Sequence, residues 1–305
     1  MKRKVTKMGN SSLVVTLPNS WVKENKVEKG DELNVEAIEK NLIISTTNIR
    51  KKDSLIQVDV STFSNRTIQN ILNYAYRSGY CTIKLKFKEE RQFNQIVEVV
   101  RNTLLGFELI EERNNICTIQ NVAEPSPDHV EVMIRKAFLM MKQLGELVLN
   151  EPQSELGKSL SRVKSTRETI DNLTNFIRRE IISINYGGKE RSYFLWSIIS
   201  ELSLAAHAYC YFYQQKKTNE SEKLKKLLMK NNTMLELLYN TFYNHNYATI
   251  DKIYQLREEI ETEILKNANK LDSGAFLIFE LSRHLQLCSS LLIGAHINSK
   301  NEKSV

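Results

Sequence analysis

The chain has 305 residues, 41% of them hydrophobic and 26% charged, with a formal net charge of +7. Such a composition is that of an ordinary soluble protein with room for two or three domains, and the basic excess, much of it N-terminal, favours an acidic partner. No stretch is expected to reach the ~18 continuous apolar residues of a membrane span, and the basic start leads into alternating strands, not a signal-peptide run. A cytoplasmic protein without membrane insertion is therefore expected. Cys81, Cys117, Cys210 and Cys288 are isolated and show no CxxC spacing, so a zinc ribbon or redox motif is not suggested and buried free thiols are expected.

Residues 1–47 form a short basic β-rich unit. The first predicted strand carries Lys2, Arg3, Lys4 and Lys7, turns at Gly9-Asn10-Ser11-Ser12 and returns through Leu13 to Leu17. Pro18 ends that strand and, with Asn19-Ser20, fits the entry to a short helix around Trp21 to Asn25. Lys29-Gly30-Asp31 is a turn signal, after which Glu32 to Ala37 and Leu42 to Ser45 read as strands. About 45 residues bury too little apolar surface to fold alone, and pairing two copies is one usual remedy.

A doubled cluster of Arg3, Lys4 and Lys7 would release counterions from a phosphate backbone and give salt-sensitive affinity. Asn10, Ser11 and Ser12 can add hydrogen bonds to phosphates or base edges. Basic residues near a terminus are also often merely solvated, and the unit can equally serve only to dimerise. Gly9-Asn10-Ser11, Leu17-Pro18, Trp21, the Lys29-Gly30-Asp31 turn and Leu42-Ile43-Ile44 fall in the order of the AbrB/MazE/SpoVT swapped-hairpin family, which the unit resembles. The resemblance implies a dimeric β-barrel of interleaved hairpins that binds DNA through its first hairpin. A homodimer with DNA as partner is the expectation.

The polar run Asn48 to Asp53 reads as a linker, and a second unit spans about 54–122. Leu55 to Val60 alternates as a strand, and Ile68, Ile71, Leu72 and Ala75 recur at helical spacing in 65–78. A strand over Cys81 to Phe87, a helix over Arg91 to Leu105 and a hairpin of 107–112 with 116–120 complete a β-α-β-α-β-β order. That order makes a small α/β sandwich, a connector domain. Lys84, Lys86 and Lys88 are more simply a solvated strand face than an extension of the basic patch. No phosphate loop, catalytic pair or metal motif occurs in it.

From Ser126 the chain becomes helical, opening on Ser126-Pro127-Asp128, a capping side chain followed by proline in the first turn. Six helices are predicted at about 127–150, 154–184, 190–216, 219–244, 247–270 and 273–298. Phe138, Met141, Leu144 and Val148 exemplify their three-and-four spacing, which packs antiparallel bundles. Ile199 to Ser203 echoes Ile278 to Ser282, and Glu168-Thr169-Ile170-Asp171 echoes Glu258-Glu259-Ile260-Glu261, so the 126–298 region reads as repeats of about 126–216 and 219–298. The fold class is multidomain α+β, with two three-helix bundles at the C-terminal end.

This half resembles the PhoU family of phosphate-transport regulators, a tandem repeat of that kind, most locally at Glu168 to Arg179. The three-part order is similar to that of archaeal regulators. PhoU proteins carry inward carboxylates that bind a metal cluster, and here these positions are depleted. Arg167 stands four before Asp171 and Arg257 four before Glu261, so each carboxylate is expected to pair with a cation one turn away. Weak metal candidates remain in Asp171, Glu261, Glu280 and His284, of which Glu280 and His284 lie one turn apart. His207 or His284 in an apolar helix is more often a core residue with one satisfied nitrogen. Neither a metal nor another cofactor is expected.

The residues add up to a non-enzymatic, DNA-binding transcriptional regulator, with phosphate uptake or homeostasis as the process the PhoU resemblance implies and the bundle as sensing or partner-binding module. A phosphate transporter component or signalling protein is a further partner under that resemblance. Two rivals are a PhoU-like interaction module whose hairpin only dimerises, and a carboxylate-bundle metalloprotein. An antitoxin fits less well, because such proteins usually end in a disordered toxin-binding tail whereas this chain continues into predicted helices.

Overall fold

The computed structural model describes residues 3–9, 12–38, 41–46, 54–123, 127–150, 156–186, 188–215, 222–244, 246–266 and 273–300. The chain divides into two compact units, Met1–Arg50 and Lys51–Val305. The second unites the regions read from sequence as connector and helical domains.

The N-terminal unit consists of two hairpins and one short helix. Strands β1 (Thr6–Met8) and β2 (Ser12–Val14) pair antiparallel, with Lys7 opposite Leu13. They are shorter than the alternation suggests, because Arg3 to Val5 and Val15 to Leu17 lie beyond the ladder. Helix α1 (Asn19–Glu24) starts after Pro18, whose carbonyl accepts from the Val22 N–H at 3.0 Å. Gly30, at φ +103°, makes the turn that Asp31 closes by accepting the Glu28 N–H at 2.7 Å. Strands β3 (Asn34–Ile38) and β4 (Asn41–Ser45) form the second hairpin. The helix buries none of its residues, and Val5, Met8, Leu13, Val35 and Leu42 are exposed.

In the second unit, β5 (Leu55–Asp59), β6 (Thr82–Lys86), β7 (Phe107–Arg113) and β8 (Ile116–Asn121) make one sheet in the order β5-β6-β8-β7. β5 and β6 are parallel, joined through α2 (Asn65–Arg77), while β8 runs antiparallel to β6 and β7. α3 (Glu90–Thr103) connects β6 to β7. Ile68, Leu72 and Tyr76 of α2 and Ile96, Val99 and Val100 of α3 share a core with Ile83, Leu85, Phe107, Cys117 and Ile119 of the sheet. Ser64 caps α2 by accepting the Thr67 N–H, and Glu89 with Gln92 makes a reciprocal box at the start of α3. Buried Gln92 also donates to the carbonyls of Val60, Ser61 and Phe63, which ties α3 to the loop after β5.

Six helices follow: α4 (Pro127–Asn150), α5 (Leu156–Ile184), α6 (Gly188–Gln215), α7 (Glu222–Asn244), α8 (Ala248–Lys266) and α9 (Ser273–Lys300). Each trio packs internally, but α6 also lies along α9 and α4 against α7, so the two expected bundles merge into one continuous core. The α6–α9 pair is antiparallel: Glu201 meets His284, the Cys288 thiol donates to the Ile198 carbonyl, and Gly294 faces Phe194. All four cysteines are free. Burial drives the Cys288 thiol well above its ordinary range and lifts that of Cys117 to about 11, so both behave as small apolar groups.

The segment Gly274–Ile297 of α9 is long and apolar enough, by length and composition alone, to cross a membrane, although Glu280, Arg283, His284 and Gln286 interrupt its apolar residues. Its apolarity has a source within the fold: Ile278, Leu281, Leu285, Cys288, Leu292 and Ala295 are all in the helical core, and α9 touches α6, α7 and α8. A helix surrounded by neighbours is apolar on more than one face.

Candidate functional site

The basic residues of the first hairpin are exposed. Arg3, Lys4 and Lys7 all face solvent, and the Arg3 guanidinium donates to the Thr16 hydroxyl at 3.5 Å. Thr6 reaches across the hairpin to the Val14 carbonyl at 3.3 Å. Gly9, at φ +72°, takes a left-handed turn position that a side chain would strain. Ser12 is exposed at the start of β2, opposite Met8, while Asn10 and Ser11 lie outside the described residues. Three cations and a hydroxyl are thus presented on one short hairpin, which is chemistry suited to phosphates.

The acidic positions of the helices are engaged in side-chain bonds. Asp171 Oδ2 is bound by Arg167, one turn earlier, while Oδ1 accepts from the Ser203 hydroxyl at 3.0 Å and lies 3.2 Å from His207 Nε2. Glu261 pairs with Arg257 at 3.3 Å, and the Arg257 guanidinium stacks 4.1 Å over Phe279. His284 Nδ1 lies 2.7 Å from Glu201 of α6, whereas its Nε2 is 3.9 Å from Glu280. Sequence spacing coupled His284 to Glu280, its neighbour on the same helix, and the closer partner comes from the other repeat. Its signal was present, since Glu201 and Glu280 occupy matching places in the duplicated segments, but only helix packing brings α6 and α9 together.

Carboxylates held by arginines and hydroxyls have fewer lone pairs for a hard cation. Among the described residues, no three His, Cys, Asp or Glu side chains gather where one ion would be shared. Ser203, Asp171 and His207 do not make a nucleophile relay either. The serine hydroxyl donates to the carboxylate and not to the imidazole, so His207 is not placed to take its proton.

Sequence reading missed a polar centre between the α/β layer and the helices. Arg77 of α2 and Arg178 of α5 both donate to the Asn175 amide oxygen, at 2.8 and 3.3 Å. Beside them, the Asn172 amide donates to the Asn102 carbonyl at 2.6 Å, linking α5 to α3. The Arg77–Asn175 and Asn172–Asn102 bonds join residues 98 and 70 apart in sequence, for which no local pattern is a signal.

Comparison with known proteins bears on the first unit. The family model described as "Antidote-toxin recognition MazE, bacterial antitoxin" matches residues 6–55. No curated protein and no solved structure matches the chain. The matched segment holds the Gly9 turn, the Pro18 entry to α1, the Gly30 turn and the closing hairpin. A domain of this type fits a DNA-binding or antitoxin-type regulator. Residues 6–55 thus match a MazE/AbrB-type domain.

Proposed function

We propose that the protein is a non-enzymatic transcriptional regulator, a cytoplasmic homodimer whose first hairpins, carrying Arg3, Lys4, Lys7 and the Gly9 to Ser12 turn, bind duplex DNA. The observation that carries this reading is the exposure, in a single chain, of Leu13, Met8, Val5, Val35 and Leu42 beside three exposed cations, Lys7 within and Arg3 and Lys4 just before the segment that matches the MazE family model. Apolar side chains left in water on a unit too small for its own core call for a second copy, and pairing doubles the positive charge. The helical region is the sensing or partner-binding module, PhoU-like in its duplicated trios, and phosphate homeostasis is the process that resemblance favours.

The test is a salt titration of DNA binding by the full chain and by a version starting at Ser54, which retains both hydrophobic cores. Steeply salt-dependent affinity that disappears with the hairpin is the expected result. Weak binding equal in both versions refutes it and makes the hairpin a dimeriser, with a transporter component as the partner to seek.

A second reading has one observation of its own. The matching family is described as a bacterial antitoxin, so the domain also suits a regulator that holds a toxin. Co-purification of a small protein from the native host, released on deleting a segment beyond the hairpin, would favour it.

A further inference from the structure

Between α2 and α3 on one side and α5 and α6 on the other lies a cavity of about 690 Å³. That is within the several-hundred Å³ range of metabolite sites. Its walls are rich in amides, with Gln69 and Asn73 from α2, Asn102 from α3, and Asn172 and Asn175 from α5, and Arg77 projects among them. Amides can donate and accept, so such walls suit hydroxyl, amine or amide groups more than hydrocarbon.

The charge distribution is uneven. The Arg77 and Arg178 guanidiniums converge on one neutral oxygen, Asn175 Oδ1. Arg178 spends its other bonds on the Thr174 carbonyl at 3.0 Å, the Thr174 hydroxyl at 3.3 Å and Ser200 at 3.5 Å, all uncharged. Among the described residues neither arginine is ion-paired with a carboxylate. Asp171 is near enough to act on both electrostatically, but its oxygens are bonded to Arg167, Ser203 and His207. Glu168 is likewise bonded to Arg167, at 3.2 Å. Burial, and after it the charge of Arg77, push Arg178 down to about 10. Of the two, only Arg77 lines the cavity, with Arg167 and the carboxylates of Glu98, Glu168 and Asp171; a half-buried cation bonded to a neutral oxygen is costly, and an anion is the group that offsets it.

We infer that this cavity binds a small metabolite whose oxyanion, a phosphoryl or carboxylate group, bonds Arg77 and whose remaining polar groups are met by the surrounding amides. A bound anion would bridge α2 to α5 and so strengthen the packing of the α/β layer on the helices. The site gives the sensing role a ligand class and rests on that role only for its consequence, because binding itself is read without DNA.

The experiment is calorimetric titration of the full chain with inorganic phosphate, AMP and citrate at constant ionic strength. Saturable binding of one probe per chain is expected, weakened about tenfold or more, ~1.4 kcal/mol, by Arg77→Gln and unchanged by Arg113→Gln on the distant β7 hairpin. Binding of phosphate or AMP assigns a phosphoryl ligand, and binding of citrate a carboxylate. Should Arg77→Gln fail to fold, Glu98→Lys decides, since it replaces an exposed carboxylate lining the cavity with a cation and should tighten the oxyanion several-fold. No saturable binding up to about 10 mM, a range that still captures millimolar affinities, overturns the inference. So does affinity indifferent to both variants, or lost equally in Arg113→Gln. Oxyanion binding by a chain that fails to bind DNA leaves the inference standing and removes the DNA-binding reading instead.

Discussion

Arg179 on α5 donates to the Tyr76 carbonyl at the end of α2, 103 residues earlier, at 2.9 Å. The same terminal nitrogen donates to the Tyr80 carbonyl at 2.8 Å, and the guanidinium lies 4.6 Å over the Phe107 ring. Carbonyls at a helix C-terminus lack intrahelical partners and carry partial negative charge. One buried arginine therefore adds a donor at the end of α2, where the Tyr76 carbonyl also accepts from the Gly79 N–H at 3.0 Å, and helps fasten the α/β layer to the helical region.

Arg179→Met removes both bonds and leaves the two carbonyls buried. A loss of about 3 kcal/mol is expected, read as a fall in the urea midpoint of the full chain. Arg179→Lys should recover less than half, because an ammonium cannot both span two carbonyls and stack on Phe107. An unchanged midpoint in Arg179→Met would mean that the layers are held by apolar packing alone.

Much of this architecture was readable from local pattern. Phe138, Met141, Leu144 and Val148 share one buried stripe of α4, as their spacing required, and Ser126-Pro127-Asp128 marks a helix that does begin at Pro127. Arg167 with Asp171 and Arg257 with Glu261 were legible too, because pairs four apart on a helix meet whatever the tertiary fold. Arg179 was not. Nothing adjacent to it in sequence states that Tyr76 and Tyr80 will present carbonyls to it, and the Arg77–Asn175–Arg178 cluster is hidden for the same reason.

Asp59 and Lys86 are directly opposed on the parallel β5–β6 pair, with Nζ 2.9 Å from Oδ2. Hydrogen bonds from Ser61 and Lys86 pull the Asp59 carboxyl from 3.8 down to about 2. Because the native value lies below the unfolded one, the ionised group stabilises the fold above pH 3.8, and that contribution drains away as pH falls toward 2. Asp59→Asn should thus melt lower than the parent near neutral pH, with the gap closing through that window. Thermal melts of both proteins across the acid range check this; a gap constant with pH would show that the difference does not come from ionisation of Asp59.

Gly294 on α9 is a close-approach position. A Cβ added there would clash with the edge of the Phe194 ring of α6, in the antiparallel α6–α9 packing. Gly294→Ala gains helix propensity, about 1 kcal/mol, but forces the ring or the helices apart at a cost of about 1–3 kcal/mol. Net destabilisation is expected, with Phe194→Leu in the same chain restoring most of it. Additive losses in the double variant would place the strain elsewhere.

Arg3→Ala with Lys4→Ala removes two cations from each first hairpin. If they neutralise phosphates, affinity should fall for many sequences alike, and the slope of log K against log salt should shrink by about 0.9 for each phosphate no longer neutralised. A preserved slope with lower affinity would assign these residues to shaping the hairpin, for instance through the Arg3–Thr16 bond.

Leu13 separates charge from assembly. It is 74% exposed in the single chain and stands directly opposite Lys7 on the hairpin, so a residue that should meet DNA and one that should be buried by a second copy share a register position. Leu13→Asp leaves every cation in place while putting a carboxylate where the apolar interface would form, and an uncompensated charge in such an interface is strongly disfavoured. Sedimentation should therefore show loss of any dimer built through the N-terminal unit, and DNA affinity should collapse with it, because one hairpin alone presents half the charge. A dimer that survives Leu13→Asp would place assembly in the helical region. A monomer that still binds DNA at full strength would separate recognition from pairing and require each hairpin to act by itself.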